Sequence, residues 1–146
     1  MQVEIKIDSA YQEPKIIIYT DKVTDEINTL VGRISEHSPK VLSGFRNDTL
    51  EILEKSDILR IYAAAGKVFA STPNGDYTLH LRLYELEELL CKDCFVRISN
   101  SEIINLKKVK SFDLSFTGTI CVSLADGTVT YVSRRYVKKI KQVLGV

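Results

Sequence analysis

Residues 95–112 read FVRISNSEIINLKKVKSF, from Phe95 to Phe112. The stretch opens as a strand in which apolar Phe95 is followed by polar Arg97 and Ser99 at alternating positions. It breaks at Ser99-Asn100-Ser101, three short polar residues that favour turns and bond to nearby backbone. Apolar residues return at Ile103, Ile104, Leu106 and Val109, with Lys107, Lys108 and Lys110 between them. Glu102 is the one acidic residue in the stretch. A half-buried strand that ends in a polar loop flanked by cations has the composition a nucleic-acid backbone requires.

The charge distribution points the same way. The chain of 146 residues carries a net charge of +1, but the charges are segregated. Residues 1–94 hold 11 Lys+Arg against 16 Asp+Glu, a balance of −5; residues 95–146 hold 9 against 3, a balance of +6. Positive charge concentrated in the last third suits an anionic partner. At 27% charged and 45% hydrophobic residues, the composition is that of an ordinary globular protein of one or two small domains. No basic-then-apolar leader follows Met1, and the longest apolar runs, such as Ile16-Ile17-Ile18-Tyr19, are too short to span a bilayer. A cytoplasmic protein is expected.

Working outward toward the N-terminus, Val3, Ile5 and Ile7 alternate as in a strand, and Lys15–Thr20 reads as a second. Asp21 is a candidate N-cap for a helix whose apolar stripe is Val23, Ile27, Leu30, Val31 and Ile34, and which Ser38-Pro39 ends. Lys40–Phe45 is a further strand, so residues 1–46 are expected to form a small strand-helix-strand module for dimerisation or regulation. Strands are expected at Leu50–Leu53, Ser56–Ala63, Lys67–Ser71 and Tyr77–Leu83. Gly66 permits a tight turn, and Asn74-Gly75 signals a hairpin. LYELEELL (residues 83–90) is a two-turn helix. Beyond the quoted stretch, strands are expected at Leu114–Phe116, Ile120–Leu124 and Thr128–Val132, with Asp126-Gly127 at a hairpin turn. The chain ends in a helix capped by Ser133, with Tyr136, Val137, Ile140, Val143 and Leu144 on its apolar face. The class is α+β, mainly β after residue 47.

The chemistry-bearing residues favour binding over catalysis. Neither a nucleophile elbow, a phosphate-binding glycine loop nor a zinc-protease signature is present. Glu85, Glu87 and Glu88 read as a solvated helix face. Cys91 and Cys94 form a CxxC that closes a helix, and with Cys121 distant and His37 and His80 at no ligand spacing, reduced thiols and no metal are expected. No cofactor, small-molecule substrate or enzyme activity is expected. Ser133-Arg134-Arg135-Tyr136 is different. Arginines in a first helical turn oppose the helix dipole by about 0.3–1 kcal/mol each, and the free N–H groups there suit a phosphate. Asparagine and arginine are also the side chains that bond to adenine and guanine edges, so Asn100 and Arg97 are candidates for the same surface. Lys67, Asn100 and Arg135 are expected to converge on one edge of the β scaffold.

FVRISNSEIINLKKVKSF, followed by SFTGTICVSLADGTVTYVSRRYVKKIKQVL, resembles the LytTR DNA-binding domain of bacterial transcription regulators over roughly residues 47–144, so residues 47–146 are expected to form such a domain. The resemblance implies a mainly-β domain that binds DNA through loops, with bases in successive major grooves read after the Phe95-x-Arg97 strand and at the Val132-Ser133-Arg134-Arg135-Tyr136 turn. Carried onto this sequence, it makes Asn100 and Arg135 the base-reading residues. Arg97, Ser99, Ser101, Lys107, Lys108, Arg134 and Tyr136 become backbone or supporting residues. A third family contact, often histidine, falls at Gly66-Lys67-Val68, where Lys67 substitutes with a more phosphate-like role. Residues 1–46 are too few for a receiver domain. The chain therefore resembles the short stand-alone regulators, which bind double-stranded DNA at paired short sites, are expected to be homodimers and are often paired with a small membrane protein. Without the resemblance, a second reading stays open: a basic face that binds an acidic or membrane-protein partner.

Overall fold

The computed structural model describes residues 1–35 and 41–146. Its elements are α1 (Asp25–Ser35), β1 (Ser43–Arg46), β2 (Thr49–Ile52), β3 (Arg60–Ala64), β4 (Lys67–Thr72), β5 (Gly75–Leu79), α2 (Leu83–Leu89), β6 (Phe95–Ser99), β7 (Glu102–Asn105), β8 (Val109–Asp113), β9 (Ile120–Leu124), β10 (Val129–Val132) and α3 (Arg134–Leu144). A seven-stranded sheet runs β2-β1-β5-β4-β3-β7-β6, and a three-stranded sheet runs β10-β9-β8. The pairings are antiparallel throughout.

The β6–β7 hairpin holds the two sheets together because its side chains serve two cores. Successive strand residues point to opposite faces. Ile103 faces a core built with Ile61, Leu79, Leu86, Leu90 and Phe95. Its neighbour Ile104 faces a second core with Ile98, Ile120, Val122, Val132 and Ile140. Each is at most 1% exposed, and each such burial contributes about 1.5–3 kcal/mol. Ile58 and Leu59 repeat the division one strand away. The stretch is thus a doubly covered hairpin rather than a half-buried strand.

Helices α2 and α3 bury their apolar stripes, whereas on α1 Val31 and Ile34 stay 46% and 44% exposed and Val23 lies before the helix. On α2, Leu83 and Leu86 are buried, and on α3 Ile140 is, with Tyr136, Val137 and Leu144 packed beside it. Gly145 ends α3 at φ +74°, and its N–H and that of Val146 close onto Gln142 and Lys141 carbonyls. The N-cap of α1 is Thr24, not Asp21: Ile27 N–H donates to Thr24 Oγ1 at 3.3 Å. The predicted stop at Ser38-Pro39 lies outside the described residues, as does Lys40.

Three strand predictions are corrected. Residues 1–24 contain no strand in the single chain, because Val3, Ile5 and Ile7 find no partner and stand 84–98% exposed. β1, expected to complete the N-terminal module, pairs with β2 and β5 instead. The large sheet therefore begins at Ser43, and Asn47 and Asp48 form its first hairpin turn, both at positive φ. Close packing favours this: a Cβ at Gly44 would stand 2.8 Å from that of Tyr77. Finally, the third strand of the small sheet is Val109–Asp113, not Leu114–Phe116. Val109 and Phe112 pack on the second core, whereas Leu114 and Phe116 remain exposed.

Candidate nucleic-acid interface

Three segments meet at one end of the large sheet. The β3–β4 hairpin turns at Ala65 and Gly66, both left-handed (φ 51° and 75°), so Lys67 follows directly at its tip. Ala63 N–H donates to Ser101 carbonyl at 2.8 Å, which fixes this hairpin beside the Asn100-Ser101 turn. Ser133 N–H donates to Ile98 carbonyl at 2.9 Å, which sets the start of α3 against β6. Tyr136 then reaches the turn and donates from its hydroxyl to Asn100 Oδ1 at 3.2 Å. Lys67, Asn100 and Arg135 are thereby carried by adjoining segments, as expected from the sequence.

The turn is held so that its acceptors face inward. Arg97 donates from Nε to Ser99 carbonyl (3.0 Å) and from Nη2 to Asn100 carbonyl (2.7 Å). Its Nη1 donates to Glu87 Oε2 at 3.1 Å. Ala63 takes the Ser101 carbonyl, and Tyr136 the Asn100 side-chain oxygen. Ser99 and Ser101 hydroxyls lie 3.3 Å apart, and Ser101 N–H donates to Ser99 Oγ at 3.2 Å. The Asn100 amide NH2, a donor, has no hydrogen-bond partner among the described residues, and Asn100 is exposed. Arg135 is exposed and makes no hydrogen bond or ion pair with the described residues, so its guanidinium is also open. Lys67 is exposed too. An end that presents donors matches phosphate oxygens and the acceptor-bearing edges of guanine and thymine. Ser133 makes no side-chain cap; Tyr136 N–H donates to the Ser133 carbonyl at 2.9 Å, and the N–H groups of Arg134 and Arg135 precede it in the first turn of α3 without a capping side chain.

Arg97 is therefore a clamp and not an open phosphate ligand; its side chain is 14% exposed, and each of its three nitrogens donates one hydrogen bond within the chain. Arg97→Met should strip two carbonyls of their partner and cost about 1–2 kcal/mol of stability in urea unfolding. Specific DNA binding should weaken more than non-specific binding, because the turn loses its shape while the surface charge falls by one. Lys107 and Lys108 are not beside the turn. They form a 3-10 turn at the opposite end of β7, roughly 13 Å away by strand rise, where Asn105 Oδ1 accepts from Lys107 N–H. Arg134 leans toward the β8–β9 loop, its Nε 3.2 Å from where a Gly118 Cβ would be. It begins an open groove of about 570 Å3 along α3 that Lys138 and Lys141 also line.

Several residues that shape this end were not legible as such. Glu102 is 9% exposed and joins the two sheets: it accepts from Arg60 Nη1 (3.0 Å) and Thr130 Oγ1 (2.7 Å). Its isolation in a basic stretch was the available signal. Asn105 is 2% exposed, and its Nδ2 donates to Ile58 carbonyl at 2.8 Å. The predicted solvated glutamates are each engaged. Glu87 bridges Arg97 and Lys139, Glu85 accepts from Arg82 N–H, and Glu88 takes both Arg33 donors at 2.6 and 2.7 Å, tying α1 to α2. Those bonds hold the Glu88 carboxyl below its usual range. The contribution of that bridge is present above the ordinary carboxylate pKa and fades as pH falls through the lowered one. On β3, Tyr62 donates to Asp76 Oδ2 at 2.5 Å, which pushes its hydroxyl pKa up and keeps it protonated. Thr128 N–H similarly holds Asp126 down. Among the described residues no group of His, Cys, Asp and Glu is placed to hold a metal, and no helix is long and apolar enough to cross a membrane.

Comparison with known proteins bears on the family and the fold. The model of the LytTr DNA-binding domain matches residues 48–145. A relative in Staphylococcus aureus (strain MSSA476), named an uncharacterised HTH-type transcriptional regulator, is 33% identical over 100% of this chain and 99% of its own. Its counterpart in strain MRSA252 is 32% identical over the same shares. A solved structure from Bacillus cereus is described as the LytTr DNA-binding domain of a methyl-accepting/DNA response regulator. It is 25% identical and superposes with a TM-score of 0.70, covering 74% of this chain and 99% of that one. Despite the relatives' names, strands separate α1 from α2 and α2 from α3 here, so among the described residues no two successive helices form a helix-turn-helix. By its residues 48–145 and its sheet topology, the chain belongs to the LytTr DNA-binding domain family.

Proposed function

We propose that this chain is a cytoplasmic transcription regulator that binds paired short sites on double-stranded DNA as a homodimer. The observation that carries the reading is the donor-presenting end of the large sheet, with Asn100 and Arg135 free to meet base edges. Lys67 and the start of α3 lie beside them, placed to take phosphates. Arg97, Ser99, Ser101 and Tyr136 act on DNA indirectly, by fixing the turn. Lys107 and Lys108 lie off this end, and Arg134 leans from the start of α3 toward the β8–β9 loop; all three are assigned to backbone contacts, where they add affinity without sequence preference. The names of the full-length relatives support the regulatory role.

The test is competition in a gel-shift assay at fixed salt. The DNA upstream of the protein's own gene should displace labelled target at concentrations at least 100-fold lower than unrelated DNA of equal length, in keeping with typical specificity ratios. Equal displacement by both would favour a basic face that binds an acidic protein partner.

A further inference from the structure

The N-terminal segment has the properties of half an interface. Val3, Ile5 and Ile7 are 85%, 84% and 98% exposed, and Ile16, Ile17 and Tyr19 are 61%, 58% and 92% exposed. Strands with this pattern are stable only when paired and covered. Among the described residues, the chain itself offers residues 2–7 no paired strand. The polar positions between the apolar ones are Glu4 and Lys6, which share a face, with Lys6 Nζ 4.0 Å from Glu4 Oε1 and both side chains about four-fifths exposed.

We infer that residues 2–8 pair antiparallel with the same residues of a second copy, about a two-fold axis at Ile5. This deepens the homodimer reading above and rests on it. In that register Val3 faces the partner copy's Ile7 and Glu4 faces Lys6, each pair occurring twice by symmetry, and Ile5 faces Ile5 once, on the axis. Gln2 then faces Asp8, an amide donor against a carboxylate. One face of the ribbon is wholly apolar and the other is charge-matched. Neighbouring registers fail. Centring on Glu4 sets Glu4 against Glu4, centring on Lys6 sets Lys6 against Lys6, and a half-step sets Val3 against Lys6 and Glu4 against Ile5. Opposite charges across a strand pair stabilise it, like charges weaken it, and a one-residue slip moves every side chain to the other face. The self-complementary order of these seven residues therefore selects both the partner and the register. Lys15–Thr20 supplies the further strands that a lone two-stranded ribbon needs.

The experiment is light scattering after size exclusion on the full chain. Wild type should be a dimer. Glu4→Lys and Lys6→Glu, each alone, should weaken dimerisation about tenfold or more, since two attractive pairs become repulsive. An equimolar mixture of the two variants, one tagged, should restore a dimer containing one of each, and the double exchange should restore a homodimer. A monomeric wild type would overturn the homodimer reading itself. A wild-type dimer indifferent to either single change, or not rescued by mixing, would overturn the register alone.

Discussion

Asn100→Ala and Arg135→Ala are each expected to lose about 1–3 kcal/mol on the specific site, roughly 5- to 150-fold in affinity. Binding to unrelated DNA should change far less, particularly for Asn100→Ala, which removes no charge. The expectation rests on what surrounds the two side chains. Asn100 is held by its backbone and its side-chain oxygen, so truncation removes an oriented donor and not a flexible one. Among the described residues Arg135 has no hydrogen-bond or ion-pair partner whose loss would complicate the result. Titrations of specific and unrelated duplexes at several salt concentrations separate the two effects. For Arg135→Ala the salt slope should fall by about 1, and for Asn100→Ala it should stay unchanged.

Glu102→Ala is expected to cost about 2–3 kcal/mol of stability in urea unfolding, a large effect for a polar side chain. The carboxylate is 11% exposed and the Arg60 side chain 26%, so removing the acid leaves a largely desolvated cation and an unbonded Thr130 hydroxyl. Arg60 also lies over the Tyr62 ring, with its guanidinium carbon 4.3 Å from the centroid, and cannot simply swing into water without losing that contact. Removing both charges by Arg60→Ala and Glu102→Ala together should cost less than the sum of the single changes, because no orphan charge remains. Since Glu102 follows Ser101 directly, DNA binding by the folded fraction of the single variant should also weaken.

The extent to which the sequence foretells this structure follows from where the information is local. Ile103 and Ile104 mark a strand, and both prove buried, but that they serve different cores depends on a second sheet that only β8–β10 and α3 provide. Leu114 and Phe116 alternate as a strand should, whereas Val109 and Phe112 are three residues apart and both reach the second core across a register shift between Val109 and Ser111, so pattern alone favours the wrong pair. Lys107 lies only six residues after Ser101, yet an extended strand carries it to the other end of the hairpin. The turn Ser99-Asn100-Ser101 is legible from its residue types. The clamp by Arg97 is not, because its partners include Glu87 from a separate helix. Val3, Ile5 and Ile7 alternate as a strand does, yet residues 1–24 form no strand and the three side chains stand exposed, because alternation alone supplies no neighbouring strand to pair with.

The most direct measurement is selection of bound duplexes from a random DNA pool by the full-length protein, run in parallel with the Asn100→Ala, Arg135→Ala double variant. The wild type should enrich a recurrent pair of short sites with acceptor-bearing base edges, guanine or thymine, at the most constrained positions. The double variant should bind DNA without enriching that pattern. Enrichment of the same sequence by both proteins, or of no sequence by the wild type, would contradict base reading from the Asn100 turn and the start of α3.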